Sequence, residues 1–106
     1  MTDPILDTLE ATIRLRRGAD AGTSYVAGLF ARGRRKIAQK LGEEATETVI
    51  AAMGNDPGAL TSEAADLVFH LLVLLADAGL SLDDVRAELR RREGVSGIDE
   101  KAGRKE

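Results

Sequence analysis

The chain of 106 residues contains no cysteine and no tryptophan, and it has one histidine, one tyrosine and two phenylalanines. Without cysteine, neither a disulfide framework nor a thiolate zinc site can form. Because His70 is the sole imidazole, a histidine-rich metal site is excluded within one protomer. The lack of cysteine suits a reducing compartment, and we expect a cytoplasmic protein.

Long apolar runs are also lacking. The longest, residues 67–76, is interrupted by His70 and is far shorter than the roughly 20 residues that span a bilayer. The N-terminal residues carry acidic side chains where a secretory signal peptide has basic ones. We therefore expect neither a membrane anchor nor an export signal.

The charge balance argues against a general nucleic-acid-binding protein. The formal net charge is −3 at pH 7 and the pI is near 5.2. Basic residues nevertheless cluster in one stretch, at Arg32, Arg34, Arg35, Lys36 and Lys40. A small anionic ligand fits this clustering better than a nucleic acid does.

Segments that alternate β-branched and polar side chains are absent, which predicts an all-α fold. Prolines, glycines and capping residues indicate five helices, at about 4–16, 24–31, 35–53, 60–78 and 82–92. Asp3 and Ser81 are the expected N-caps of the first and last helices. Residues 1–92 would then form one domain, and the charged tail 93–106 is expected to be mobile.

The predicted fourth helix is apolar on nearly every side after Asp66. A chain of this length offers a thin core, and such a helix needs more apolar partners than the other four easily supply. We therefore predict a four- to five-helix bundle that is completed by homodimerisation.

Two pairs of acids recur at three-residue spacing on the third and fourth helices. Glu44 and Glu47 lie in GEEATE, and Glu63 and Asp66 lie in SEAAD. Residues three apart on a helix share a face, so each pair can present two carboxylates to one point. An oxygen-only ligand set favours a hard cation such as Mg²⁺ or Mn²⁺, and such ions most often serve phosphate chemistry.

A solvent-exposed charged face is the alternative reading, with Lys40 paired to Glu44 on the third helix. The fourth helix favours a metal site over this alternative. Most of its surface is apolar and expected to be buried, and burying an unpaired carboxylate is energetically costly. Lys36 and Lys40 beside the acids suit the oxygens of a polyphosphate.

The single histidine and two of the aromatic residues are predicted to have structural roles. Di-iron bundles use a Glu-x-x-His spacing that this chain lacks, so iron is a poor second choice. His70 is expected to be a core histidine hydrogen-bonded to Asp66, orienting it rather than binding metal. Tyr25 and Phe30 are expected to be core aromatics rather than platforms for a nucleobase.

The segments SYVAGLFARGRRKIAQKLGEEATETVIAA and SEAADLVFHLLVLLADAGLSLDDV resemble the phosphoribosyl-ATP pyrophosphatase family of histidine biosynthesis. The resemblance covers roughly residues 24–92. More broadly, the chain is similar to all-α nucleoside triphosphate pyrophosphohydrolases, which share an E-E-x-x-E then E-x-x-D signature. That signature is formed here by Glu43, Glu44, Glu47, Glu63 and Asp66.

The resemblance implies hydrolysis of 1-(5-phosphoribosyl)-ATP to 1-(5-phosphoribosyl)-AMP and pyrophosphate. It implies that the metal ligands are Glu44, Glu47, Glu63 and Asp66, with Glu43 as a further acid nearby. Glu43 or Glu47 would accept the proton of the attacking water. The substrate phosphates would be held by Lys36, Lys40, Arg32 and Arg35, and the tail with Lys101, Arg104 and Lys105 would close over the second ribose phosphate.

Two other functions stay open at this point. A pyrophosphohydrolase of the same fold could act on ordinary or damaged nucleoside triphosphates. A helical dimerisation module with merely solvated acidic faces would be no enzyme at all. Substrate profiling separates the first from the implied activity, and metal dependence separates the second.

Overall fold

The computed structural model describes residues 3–94, and in this range the chain is all-α, with no strand. The five helices are α1 (Ile5–Arg16), α2 (Tyr25–Arg32), α3 (Arg34–Ala52), α4 (Pro57–Asp77) and α5 (Leu82–Arg91). The predicted number and order of helices are confirmed.

Local capping explains where the helices begin. The Ser24 hydroxyl accepts a hydrogen bond from Ala27 N at the start of α2, and Ser81 forms a capping box with Asp84 at the start of α5. The predicted start of α4 at residue 60 was three residues late. The Asp56 carboxylate caps Gly58 N and Ala59 N, and Pro57 occupies the first helical position, where its missing N–H costs nothing.

The first helix starts differently from the prediction. Pro4 occupies the N-cap position that the sequence suggested for Asp3. Asp3 lies one residue earlier, and its Oδ1 accepts a hydrogen bond from Ile5 N at 3.0 Å. The Asp3 side chain therefore still satisfies a backbone donor at the start of α1.

The long helices α3 and α4 form an antiparallel pair at the centre of the fold, because only four residues connect them. α1 and α2 pack against this pair. The buried core draws on all four helices and consists of Ile13, Leu29, Ile37, Leu72, Val73 and Ala76. This core lies toward the N-terminal half of α3 and the C-terminal half of α4, which leaves the other half of the pair free to carry polar side chains.

Arginines hold the C-terminal end of α4. Arg34 donates to Asp77 Oδ2 at 2.6 Å and to the Asp77 carbonyl at 3.2 Å. Arg17 donates to the Ala76 carbonyl at 2.8 Å. Cations at a helix C-terminus also interact favourably with the helix dipole. Arg34, which the sequence groups with the basic cluster, is thus a structural tie between α3 and α4.

Among residues 3–94, α4 is the one helix that is long and apolar enough to cross a membrane, judged by length and composition alone. Such a helix is a weak indication, since core helices of globular proteins pass the same test. Only 22% of its most apolar stretch is buried within the chain. α4 therefore keeps apolar surface that α1, α2 and α3 do not cover.

The predicted tail lies mostly outside the described residues. Glu93 and Gly94 continue the turn after α5, and the proposed contacts of Lys101, Arg104 and Lys105 fall beyond residue 94. The division at residue 92 and the homodimer stay predictions.

Candidate metal and phosphate site

The antiparallel pair brings acids from both sequence motifs together. One carboxylate oxygen each of Glu44, Glu63 and Asp66 lies within 4.8 Å of the others. Glu44 comes from the middle of α3, and the other two acids come from the N-terminal half of α4. A single cation can therefore contact all three carboxylates, whereas Glu47, the fourth acid of the predicted set, is not part of this group.

Two of these carboxylates contain buried oxygens that lack a hydrogen-bond partner, Glu44 Oε2 and Glu63 Oε2. Glu44 is only 8% exposed. Buried polar atoms in folded proteins are almost always paired, and an unpaired buried carboxylate is strongly unfavourable. These oxygens fit a hard cation, and the acid cluster can bind a metal ion.

The acids also repel one another. Burial raises the pKa of Glu44, and contact with Glu47 and the charge of Asp66 raise it further. Contact with Glu47 is the main cause of the raised pKa of Glu63, followed by burial. Glu47 is exposed and lies near both acids, but it is not one of the three residues whose carboxylate oxygens lie within 4.8 Å of one another. A bound cation would reverse this repulsion.

Thr48 fixes the axial position of the acidic segment of α3 relative to that of α4. Its hydroxyl lies 2.7 Å from the Glu44 carbonyl and 3.2 Å from the Glu63 carbonyl. The hydroxyl thus connects the backbone of α3 to the backbone of α4 at the positions of Glu44 and Glu63. Thr48 belongs to neither acidic motif, and this role was missed from the sequence.

His70 is buried and orients the site through the backbone. Its Nδ1 lies 2.8 Å from the Asp66 carbonyl, and its Nε2 lies 3.0 Å from the Tyr25 hydroxyl. A carbonyl oxygen can only accept, so Nδ1 carries a proton and donates it to Asp66, while Nε2 forms the hydrogen bond with the Tyr25 hydroxyl. The predicted hydrogen bond to Asp66 is confirmed, and it reaches the carbonyl rather than the carboxylate.

The predictions for the two aromatics have different outcomes. Phe30 is partly buried against the core and contacts the Arg17 guanidinium, 5.3 Å from its ring centre. Tyr25 is 57% exposed, so its prediction as a core residue was wrong. The hydrogen bond between its hydroxyl and His70 on α4 holds one side of the ring against the protein, and the rest of the ring is exposed.

Glu43 lies beside the acid cluster but has other partners. Lys40 Nζ is 3.2 Å from Glu43 Oε1, and Gln39 donates to Glu43 Oε2 at 2.8 Å. Gln39 and Lys40 lower the pKa of Glu43. The same contact raises the pKa of Lys40, to which Tyr25 and Glu44 contribute charge as well. The pair expected between Lys40 and Glu44 is formed by Lys40 and Glu43 instead.

The other basic residues of the cluster are distributed differently. Lys36 is half-buried, and within residues 3–94 it makes no hydrogen bond or ion pair. Arg35 is exposed at the start of α3. Arg32 is exposed and lines a cleft of about 460 Å³ between α2 and the preceding loop, together with Tyr25. The basic residues predicted for phosphate binding therefore do not share one site, because Arg32 lines this cleft and Lys40 lies beside Glu43.

Comparison with known proteins agrees with this geometry. The family model described as phosphoribosyl-ATP pyrophosphohydrolase matches residues 6–93. A phosphoribosyl-ATP pyrophosphatase of Rhizorhabdus wittichii is 68% identical over 99 residues, 93% of this chain and 93% of that protein. Proteins of the same name from Erythrobacter litoralis and Zymomonas mobilis are 63% and 59% identical, and cover 93% and 98% of this chain and 95% and 97% of their own lengths. The chain belongs to the phosphoribosyl-ATP pyrophosphohydrolase family.

Proposed function

We propose that this protein hydrolyses 1-(5-phosphoribosyl)-ATP to 1-(5-phosphoribosyl)-AMP and pyrophosphate, the second step of histidine biosynthesis, in the cytoplasm. Family membership supports the substrate. The observation that carries the chemistry is the cluster of Glu44, Glu63 and Asp66, in which two buried carboxylate oxygens have no partner. A triphosphate needs a divalent cation to be bound and cleaved, and this cluster supplies an all-oxygen ligand set.

The cation in this proposal is Mg²⁺, with Mn²⁺ as a substitute, and its ligands are Glu44, Glu47, Glu63 and Asp66. When bound, Mg²⁺ screens the triphosphate and stabilises the departing pyrophosphate. Glu47 joins the proposed ligand set because it lies near Glu44 and Glu63 and raises the pKa of both. Thr48 and His70 hold the backbone of the acidic segments in register for this purpose.

Glu47 is the better of the two acids proposed to accept the proton from the attacking water. Glu43 is already bound by Lys40 and Gln39, which lower its pKa and make it a weaker base. Glu47 is exposed beside the acid cluster and can reach a water there. Glu43 then serves to orient Lys40.

Lys36 and Lys40 are proposed to bind the triphosphate. Both lie on α3 within two turns of Glu44, and Lys36 makes no competing ion pair among the described residues. Lys40 is close enough to Glu44 for the two charges to interact. Because the lysine side chain is long and flexible, its ammonium group can stay in contact with phosphate oxygens while pyrophosphate departs. Arg35, at the start of α3, lies further from the acids and would contact the outer phosphate.

Homodimerisation through α4 also belongs to this proposal. Val68 and Leu71 are exposed on a face of α4 next to the face that carries Glu63 and Asp66. At the other end of the helix pair, Val49, Ile50 and Met53 are exposed as well. Apolar surface of this extent is unfavourable in water, and a second copy of the chain would cover it. The partner would then border the acid cluster.

The decisive experiment incubates the purified protein with 1-(5-phosphoribosyl)-ATP, with Mg²⁺ or with EDTA, and identifies the products by ion-exchange chromatography. Pyrophosphate and the AMP derivative are expected only with Mg²⁺. Asp66→Asn should abolish both this activity and the rise in melting temperature with Mg²⁺. Asp83→Asn, an exposed acid on α5 that pairs with Arg86, is the matched control and should behave like the parent.

Other outcomes would redirect the assignment. Rapid release of pyrophosphate from dUTP or dCTP, but not from 1-(5-phosphoribosyl)-ATP, would indicate a general nucleotide pyrophosphohydrolase. If Mg²⁺ changes neither activity nor melting temperature, the metal site is refuted. If in addition no nucleotide is hydrolysed, a non-enzymatic helical module is the remaining interpretation.

A further inference from the structure

The ring of Tyr25 is held in place but is not covered. It stacks against Phe69 with a centroid distance of 6.2 Å and an interplanar angle of 26°. Its hydroxyl is anchored by His70, whose ring meets it edge-on. The remaining surface of the ring faces the cleft of about 460 Å³. A rigid aromatic ring with one exposed face is the arrangement that stacks on a planar heterocycle.

The floor of the cleft is a glycine. Gly28 lines the cleft between Tyr25 and Arg32 on α2. A Cβ at Gly28 would meet only the Ala21 carbonyl, at 3.6 Å, which is ordinary contact. The absence of a side chain at this position therefore serves to leave space rather than to relieve a clash. The cleft volume is within the roughly 300–1,000 Å³ typical of small-ligand sites.

The far end of the cleft is basic. Arg32 lies seven residues after Tyr25, which places it on the same face of α2 and about 10 Å further along the helix axis. It is exposed and makes no hydrogen bond or ion pair within the described part of the chain. A free guanidinium at this distance from an aromatic platform can bind a phosphate attached to a stacked base.

The near end of the cleft adjoins the acid cluster. Tyr25 contacts His70, which lies one turn after Asp66. The order across the surface is thus the acid cluster with Lys40, then the Tyr25 ring, then the Arg32 guanidinium. A ligand that matches this order carries a polyphosphate at one end, a planar base in the middle and a second phosphate at the other end.

We propose that Tyr25 stacks on the purine of 1-(5-phosphoribosyl)-ATP and that Arg32 binds the phosphate of its N1-linked ribose. This inference rests on the proposed function and divides the basic cluster into two sites, since Lys36 and Lys40 serve the triphosphate and Arg32 the opposite end. Arg32 and the space above Gly28 then select against ordinary nucleoside triphosphates, because those substrates have no second phosphate to fill the cleft.

Steady-state kinetics on the full-length protein test the proposal. Arg32→Gln should raise KM for 1-(5-phosphoribosyl)-ATP by about tenfold with little change in kcat, as expected for one lost charge-assisted hydrogen bond. Arg90→Gln, an exposed arginine on α5 without a hydrogen bond or ion pair among residues 3–94, is the matched control and should keep the parental KM.

Three further variants separate the role of the ring from that of the space above Gly28. Gly28→Leu fills the cleft without removing a contact and should also raise KM about tenfold. Tyr25→Leu should raise KM, whereas Tyr25→Phe keeps the ring and should leave KM unchanged. Circular dichroism melts establish which variants are folded. If one variant is unstable, the remaining folded variants still test the proposal.

The outcomes are distinguishable. If the parent protein hydrolyses 1-(5-phosphoribosyl)-ATP and Arg32→Gln and Gly28→Leu keep its KM within about twofold, the cleft assignment is overturned and the proposed function stands. If the parent protein leaves 1-(5-phosphoribosyl)-ATP intact, both are overturned.

Discussion

The Tyr25 hydroxyl lies 3.0 Å from His70 Nε2 and joins α2 to the acid-bearing part of α4. Because His70 Nδ1 is engaged by the Asp66 carbonyl, the two hydrogen bonds form a continuous connection from α2 to the backbone of a proposed metal ligand. The phenol therefore helps to position Asp66 without contacting it.

Replacing Tyr25 with Phe tests this positioning role. The change leaves buried Nε2 of His70 without a partner, and we expect a loss of about 1 kcal/mol in the free energy of unfolding. The kcat should fall by about three- to tenfold, because Asp66 is held less firmly, while KM stays near the parental value. A His70→Gln background supplies the control. If the two changes are additive there, Tyr25 and His70 are not coupled and the connection is refuted.

The raised pKa values of Glu44 and Glu63 predict an unusual pH dependence for the metal-free protein. A carboxyl whose pKa is higher in the folded state than in the unfolded state binds more protons when folded. Its contribution to stability is therefore favourable at low pH and is lost as pH rises from the unfolded pKa through the folded one. Glu88 has the opposite sign, since Arg91 and Arg92 lower its pKa to about 2.

The comparison of parent protein and Glu44→Gln isolates this effect. Thermal melts in EDTA should show Glu44→Gln gaining stability over the parent as pH rises from about 4.5 to 8. Saturating Mg²⁺ should remove the advantage, because the cation binds the ionised carboxylates of the parent. Equal melting temperatures of the two proteins across this pH range would contradict the raised pKa of Glu44.

Thr48 offers a test with a close internal control. Thr48→Val removes the hydroxyl that reaches the Glu44 and Glu63 carbonyls at nearly constant volume. We expect a loss of about 1 kcal/mol in the free energy of unfolding and weaker Mg²⁺ binding by calorimetry. Thr46→Val removes a similar hydroxyl, which donates only to the Gly42 carbonyl within α3. If Thr46→Val weakens Mg²⁺ binding equally, the bridge between α3 and α4 has no special role.

The sequence was sufficient to predict five helices because Pro57, Ser81 and Gly33 give strong local signals. The acid cluster was also predictable. Three-residue spacing fixes a common face, and the four-residue connection forces α3 and α4 to be antiparallel neighbours. These features depend on backbone geometry, which composition and spacing specify well.

What the sequence did not reveal depends on which side chain a residue contacts. Lys40 can reach either Glu43 or Glu44 from its position on α3, and rotamers rather than spacing decide for Glu43. The residue type of Tyr25 does not show whether its ring is buried or exposed. Its exposure results from the packing of the short α2 against Phe69 and His70. Thr48 bonds to a carbonyl on another helix, and no sequence pattern encodes that contact.

The proposed homodimer predicts a specific sensitivity of α4. Leu71 is 40% exposed beside the acid-bearing face, and a charge there would be buried without a partner in the dimer. Leu71→Glu should therefore convert the protein to a monomer at micromolar concentration by light scattering, with a lower melting temperature. Leu15→Glu is the control, because Leu15 is 82% exposed and lies on α1 rather than on α4. A parent protein that is already monomeric would refute the dimer. A Leu71→Glu protein that stays dimeric would place the interface elsewhere on the chain, with Val49, Ile50 and Met53 at the end of α3 as the next surface to alter.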